Sequence, residues 1–439
     1  MKDEKTVHDP RLAACRSLTD CERCGKYTNL EIDAVLEKGG IRGADRALYT
    51  AIVYGVTERR ITLDHIISTL SAREIDRIDP YTKNALRVGL YQLLYLDRVP
   101  DHAAVAQTVE ACPKGSRAFV NAILRTFIRN GKKYPMPDES AERASVEYSV
   151  PRELLAFWTE RYGDERARSL AAASLRRGEV NLRVNTLRTS TEECLALLGE
   201  HAKASPLDRD VILFSGDGET LRGGIARGLW FVEDVSSRLA VRVLAPTPGS
   251  VTLDCCAAPG GKSFSCAIDM ENRGTVYSFD LHENKLSLIR SGAERLGITV
   301  IRTAARDGRN PDPALAGAAD FVLCDVPCSG LGVISKKPDI KYKNIRDIAG
   351  LPEIQYSILA ASSSCVRDGG ALVYSTCTLN PDENEAVFER FLREHANFVP
   401  DDFSVSVCRS RGGMYTFFPD GGESDGFFVA RAVKRKERS

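Results

Sequence analysis

Beyond residue 250 the chain alternates short apolar runs with helical patterns, and this beat constrains its fold more than any other feature. Residues Val251–Asp254, Thr275–Asp280, 300–303, 321–325 and 371–375 read as strands; Leu286, Ile289 and Leu296 mark a helix after the second. Parallel neighbours need a crossover long enough to hold a helix, so the pattern predicts a mainly parallel sheet with helices on both faces. Sheets of that kind carry their ligand chemistry beyond the carboxyl ends of the strands. Residues 414–418 and 427–433, joined by Pro419-Asp420-Gly421-Gly422, predict a closing hairpin, and Lys434-Arg435-Lys436 a basic end.

The residues at those strand ends are chemical. The apolar run from Ala371 to Tyr374, introduced by a turn at Gly369-Gly370 and closed by Asn380-Pro381, leaves Cys377 just past its strand. One such cysteine is most often a small core hydrophobe. A second has the same placement: the strand ending in Cys324-Asp325 empties into Val326-Pro327-Cys328-Ser329-Gly330-Leu331-Gly332. Two thiols at two strand ends, with the carboxylate of Asp325 beside one, point to covalent chemistry. The first strand runs into Ala257-Ala258-Pro259-Gly260-Gly261-Lys262, whose small residues and glycines let the backbone approach a ligand. This is not a phosphate loop, because the GxxxxGK[ST] spacing is missing. Asp280 closes the second strand, placed for the two ribose hydroxyls of a nucleoside, and Asp307 follows the third, placed for an adenine amine. Each aspartate alone reads as a cap or turn residue. Together, with no grip for phosphate, they favour S-adenosylmethionine over NAD or ATP.

With 439 residues the chain is long enough for two or three domains. Its 60 basic and 60 acidic side chains balance, so a nucleic-acid partner needs a local basic surface. The 13 cysteines follow no amino-terminal apolar run and form no regular framework, which favours reduced thiols in a cytoplasmic protein. The apolar runs are too short to span a membrane. Cys21-Glu22-Arg23-Cys24 is a lone CxxC, and no metal site is expected from it.

Upstream, residues 1–135 read as a helical bundle. Leu86, Leu90, Leu93 and Leu94 share one helix face; Tyr49, Ile52, Val53 and Val56 share another; Val120, Ile123, Leu124 and Phe127 a third. Arg59, Arg60, Arg87, Arg125 and Arg129 at its edges are candidates to meet phosphates. After the linker 132–138, residues 146–235 read as a small α/β module, with helices at 153–162 and 164–175 and strands at Val180–Val184, Val211–Phe214 and 228–232. Arg176, Arg177 and Arg183 are its candidate contacts to an RNA backbone. Residues 236–439 hold the sheet described above.

Ala257-Ala258-Pro259-Gly260-Gly261-Lys262, Asp325-Val326-Pro327-Cys328-Ser329-Gly330 and Ser375-Thr376-Cys377-Thr378 together resemble the RNA 5-methylcytosine methyltransferases, which are peculiar in carrying two cysteines in two motifs. The resemblance covers nearly the whole chain. Residues 90–100 and 119–125 resemble a helical domain similar to the antitermination factor NusB, carried by the branch that methylates bacterial 16S ribosomal RNA. Leu182-Arg183-Val184-Asn185-Thr186-Leu187 resembles that branch's middle module and 425–430 its last strand. The resemblance implies a multidomain chain: an all-α NusB-like bundle, a small α/β RNA-binding module and a Rossmann-like α/β domain that uses S-adenosylmethionine. It further implies a cytoplasmic monomer with 16S ribosomal RNA as partner. By the same resemblance Cys377 attacks cytosine C6, Cys328 assists release, and Asp325 hydrogen-bonds the base. Cofactor contacts fall on Ala257, Ala258, Pro259, Gly260, Gly261, Lys262, Asp280, Asp307 and Asp325.

The chain departs from the family pattern at Glu233, where glutamine is usual, at Val326, where alanine is usual, and at Leu175-Arg176-Arg177, in place of a proline-rich approach. Other readings stay open. DNA cytosine-C5 methyltransferases attack with the cysteine that matches Cys328, which gives the reverse assignment of the two thiols. Transfer RNA is an alternative substrate for the same chemistry. A non-catalytic RNA-binding or assembly factor on the same scaffold is an alternative of another class, against which the intact cysteines and aspartates argue.

Overall fold

The structure is a computed structural model that describes residues 9–176, 178–422 and 424–436. Two compact units divide them: the residues up to Arg176 together with Ile334–Lys343, and the rest.

In the first unit the predicted stripes become one core. Asp79 accepts a hydrogen bond from the Thr82 N–H and Pro80 occupies the first turn, so the helix Pro80–Tyr95 begins just ahead of its leucine stripe. Leu86, Leu90 and Leu93 pack with the stripes of Gly43–Glu58 and Arg117–Arg129, all buried, while Leu94 is only partly covered. Helices Ser140–Tyr148, Arg152–Tyr162 and Asp164–Ala173 complete the unit. Its arginine edge divides. Arg125 and Arg129 are exposed. Arg59 lies over the Tyr95 ring and Arg60 over the Tyr342 ring. Arg87, by contrast, is 3% exposed and closed by the carboxylates of Asp64 and Glu22. It ties helices together, with its guanidinium turned inward onto these carboxylates. The segment Pro338–Tyr342 also seats on this unit: Lys341 Nζ donates to the carbonyls of Glu58 (2.9 Å) and Ser149 (3.2 Å), and the Tyr342 hydroxyl to that of Thr57 (2.8 Å).

The second unit starts with a four-stranded antiparallel sheet of β1 (Val180–Val184), β2 (Ala202–Ala204), β3 (Val211–Phe214) and β4 (Trp230–Val232), in the order β2-β3-β1-β4. The short β2 and the helix Gly218–Ala226 were not predicted. Arg177 lies outside the described residues. Arg183, on β1, is fully buried and donates to Asp269 Oδ1 at 3.1 Å. Arg238 and Arg242 share the same acidic group of Asp208, Asp210 and Asp269. The expectation that Arg183 meets RNA is therefore wrong. An alternating strand gave it a face, and that face turned inward onto carboxylates.

The large sheet contains β5 (Val251–Asp254), β6 (Thr275–Asp280), β7 (Ile301–Ala305), β8 (Ala319–Asp325), β9 (Val366–Thr376) and β10 (Phe398–Pro400). After a small ribbon of β11 (Ser404–Val405) and β12 (Cys408–Arg409), β13 (Met414–Phe417) and β14 (Phe427–Lys434) form the predicted hairpin. The strand order is β10-β14-β9-β8-β5-β6-β7, with β13 on β14. The pairs from β9 to β7 are parallel and β14 runs antiparallel to β9. The strand order reverses between β5 and β8, where an open sheet leaves its ligand crevice. Gly369-Gly370, predicted as a turn, lies inside β9. Gly369 has φ +77° there, and the pairing with β8 shifts register between Ala319 and Phe321, so the sequence signal marked a bulge.

Candidate active site

The ends of β8 and β9 are in register, with Asp325 opposite Ser375, so the chain leaves both strands at the same level. The loop after Asp325 then folds back along the other. Val326 N–H donates to the Ser375 carbonyl (3.1 Å), and Gly332 N–H to the Cys377 carbonyl (3.0 Å). Gly332 also accepts from Gly426 N–H at 2.9 Å. A Cβ at position 332 would stand 1.9 Å from the Gly426 carbonyl oxygen, so this approach requires glycine. The two loops thus bring Cys328 Sγ and Cys377 Sγ to 3.3 Å, both half-buried. Hydrogen bonding to Cys377, then burial, pushes the Cys328 thiol well above its ordinary range.

Lys262 and Asp325 pair beside the thiols. Lys262 Nζ is 2.8 Å from Asp325 Oδ2, donates to Ser237 Oγ at 3.2 Å and lies 5.4 Å from the centre of the Phe427 ring. Ser375 Oγ donates to the other oxygen of Asp325 at 2.8 Å. Burial opposes the charge on Lys262, but the Asp325 carboxylate outweighs it and holds the ammonium above its ordinary value. The lysine's charge also interacts with Cys377. A thiolate formed there is attracted to the ammonium.

Below this pair, the loop after β5 runs through a cis Ala258–Pro259 bond to Gly260, with φ +116°, and into the helix Gly261–Asp269. A Cβ on Gly260 would come 2.5 Å from the Phe264 ring, so the loop is held flat against its own helix. Asp280 Oδ2 accepts from Ala258 N–H (3.2 Å) and Oδ1 from His282 N–H (3.0 Å). Two buried carboxylate oxygens here lack a hydrogen-bond partner, Asp254 Oδ1 and Glu233 Oε1. Burial pushes Asp254 up to about 7 and raises Glu233 as well. Small residues from Ala257 to Gly261, a strand-end carboxylate and these orphaned oxygens suit a nucleoside-bearing amino acid such as S-adenosylmethionine. Asp307 is different. Arg309 occupies both its oxygens through backbone and guanidinium donors at 2.6–3.0 Å, so its carboxylate faces a neighbouring side chain.

Three family models match the chain. The 16S rRNA methyltransferase RsmB/F model matches residues 241–433, the NusB family residues 8–129, and the Methyltr_RsmF/B-like, ferredoxin-like domain residues 150–213. The "Probable ribosomal RNA small subunit methyltransferase B" of Bacillus subtilis (strain 168) is 35% identical over 96% of this chain and 98% of its own. The chain belongs to the RsmB/F methyltransferase family. Among solved structures, PH0851 aligns at TM-score 0.80 and 24% identity, covering 96% of this chain and 99% of its own. A methyltransferase homolog protein from Pyrococcus horikoshii aligns at TM-score 0.59 and 26% identity, covering 68% and 100%. The fold of this RsmB/F member is accordingly a NusB-like helical domain, a small middle domain and a Rossmann-like methyltransferase domain, and its cofactor is S-adenosylmethionine. Among the described residues, no helix is long and apolar enough to cross a membrane and no cluster suits a metal ion.

Sequence reasoning missed Ser375 as the partner of Asp325, and Glu233 entered only as a departure. It also missed Glu383, which is fully buried next to the Cys328 loop. Glu383 follows Asn380-Pro381-Asp382, and nothing in that local pattern sets it apart from the exposed Asp382 beside it.

Proposed function

We propose that this protein methylates C5 of a cytosine in 16S ribosomal RNA, with Cys377 as the nucleophile and Cys328 as the thiol that assists release. The observation that carries this reading is the 3.3 Å pair of thiols beside the Lys262–Asp325 ion pair. Cytosine C5 is a weak nucleophile while the ring is aromatic. Addition of the Cys377 sulfur to C6 forms an S–C6 bond and makes C5 enamine-like. The proton given up by the thiol passes by way of the Asp325 carboxyl to N3, where charge develops. S-adenosylmethionine, when bound, supplies an electrophilic methyl group to C5. Its adenosine and methionine portions are assigned to 257–262 and Asp280, with Asp307 available once Arg309 moves aside.

Release is a β-elimination. The C5 proton leaves and its bonding pair re-forms the C5–C6 double bond, while the C6–S pair returns to the sulfur of Cys377. Cys328 carries its proton, because its thiol is pushed up, and hands it across 3.3 Å to the departing sulfur. The C5 proton restores the Cys328 thiol, and the N3 proton returns through Asp325 to solvent. Lys262, whose charge interacts with Cys377, favours a thiolate there and supports this division of labour over the reverse one. Reaching a stacked or paired cytosine requires unstacking it, and a loop in the RNA lowers that cost. The experiment is methylation of a 16S ribosomal RNA transcript by the purified protein, followed by nucleoside mass spectrometry and bisulfite sequencing. 5-Methylcytidine at one site is expected; a methyl group on another atom, or one found only in transfer RNA, overturns the proposal.

A further inference from the structure

The thiol loops are joined by a buried carboxylate that the mechanism above does not use. Glu383 is fully buried in the turn between Cys377 and the helix Glu385–Glu394. Four donors converge on its two oxygens: Ser329 Oγ (2.5 Å) and Asn380 Nδ2 (3.0 Å) on Oε1, and Ser329 N–H and Gln355 Nε2 (both 2.9 Å) on Oε2. A carboxylate has about four acceptor positions, so this one is saturated. The same Gln355 amide donates to the Pro327 carbonyl at 3.0 Å, and Ser329 Oγ is 2.6 Å from Thr378 Oγ1. Residues on both sides of Cys328, and the residue after Cys377, are therefore bound into one network.

We infer that Glu383 is a positioning residue for release: it fixes the Cys328 loop against the end of β9, so that the Cys328 thiol stays within reach of the Cys377 sulfur. This rests on the covalent reading proposed above. Only a carboxylate serves, because glutamine offers a single acceptor oxygen and turns its NH2 group toward two donors. The negative charge of Glu383 also adds to the forces that keep the Cys328 proton in place. The donors to Glu383 come from Ser329, Gln355 and Asn380 and none from the loop 257–261, so cofactor binding is expected to be independent of the network.

The test compares wild type, Glu383→Gln, Ser329→Ala and Cys328→Ala in the full chain, with 16S ribosomal RNA and S-adenosylmethionine. Methyl turnover, the covalent protein–RNA band on a denaturing gel and cofactor affinity by calorimetry are measured. Glu383→Gln is expected to bind the cofactor as wild type, to lose about 100-fold in turnover, the cost of about 1 Å of misplacement, and to accumulate the covalent band. Wild-type turnover in Glu383→Gln, or reduced turnover without the band, overturns the inference. If Glu383→Gln no longer binds cofactor, Ser329→Ala decides: a smaller accumulation of the band supports the role and wild-type behaviour refutes it. Absence of the band in Cys328→Ala itself would refute the covalent reading instead, which separates the two failures.

Discussion

Replacing Lys262 by methionine removes the ammonium from the centre of the site while keeping most of the side-chain volume. At 2.8 Å and an effective dielectric constant of about 20, the attraction between Lys262 and Asp325 is about 6 kcal/mol before solvation is counted. Breaking one side of a buried pair costs about 3–5 kcal/mol net. Lys262 and Asp325 are 13% and 27% exposed, so water screens part of the attraction and the lower end, about 3 kcal/mol, applies. If that stabilisation also operates when Cys377 becomes a thiolate, the rate falls by about 100-fold. The assay is single-turnover transfer of labelled methyl to 16S ribosomal RNA at saturating cofactor, with thermal unfolding measured in parallel. Lys262→Arg keeps the charge but not the geometry and is expected to fall in between. A Lys262→Met protein that is folded and reacts within about threefold of wild type would refute the electrostatic role.

Two further substitutions probe buried charges. Burial lowers Lys341 from its ordinary 10.5 to about 7. Between those values the unfolded chain binds more protons than the folded one, so this residue makes stability rise with pH. Lys341→Met is expected to flatten the rise of the urea midpoint from pH 7 to pH 10, and an unchanged rise would contradict the assignment. Arg183→Met is expected to cost about 3 kcal/mol of stability by leaving buried carboxylates short of a partner. The salt dependence of RNA binding should stay unchanged, whereas a slope reduced by about one would restore Arg183 as a phosphate contact.

The strand–helix beat made the catalytic sheet legible because its central strands bury both faces and each helix one, and those two patterns differ plainly in the sequence. The same logic found the core stripes of the helical unit, where Leu86, Leu90 and Leu93 pack as their spacing requires. Placing Cys328 and Cys377 at two strand ends also followed from local pattern, whereas the pairing of those two strands is set by the sheet order. What stayed hidden depends on partners far apart in the chain. Arg87 and Arg183 look like surface cations until Asp64 and Asp269 are seen to cover them. Glu383 reads as part of an acidic turn until the loop from Pro327 to Gly332 closes over it. Asp307 was read by its position after a strand, and that reading had no way to include the guanidinium of Arg309 two residues on.

The most direct measurement is the gel mobility of Cys377→Ala and Cys328→Ala after incubation with 16S ribosomal RNA and S-adenosylmethionine. The assignment of Cys377 as nucleophile predicts a slow, nuclease-sensitive band with Cys328→Ala and neither band nor methylated RNA with Cys377→Ala. The band appearing with Cys377→Ala and vanishing with Cys328→Ala would contradict it and exchange the roles of the two thiols.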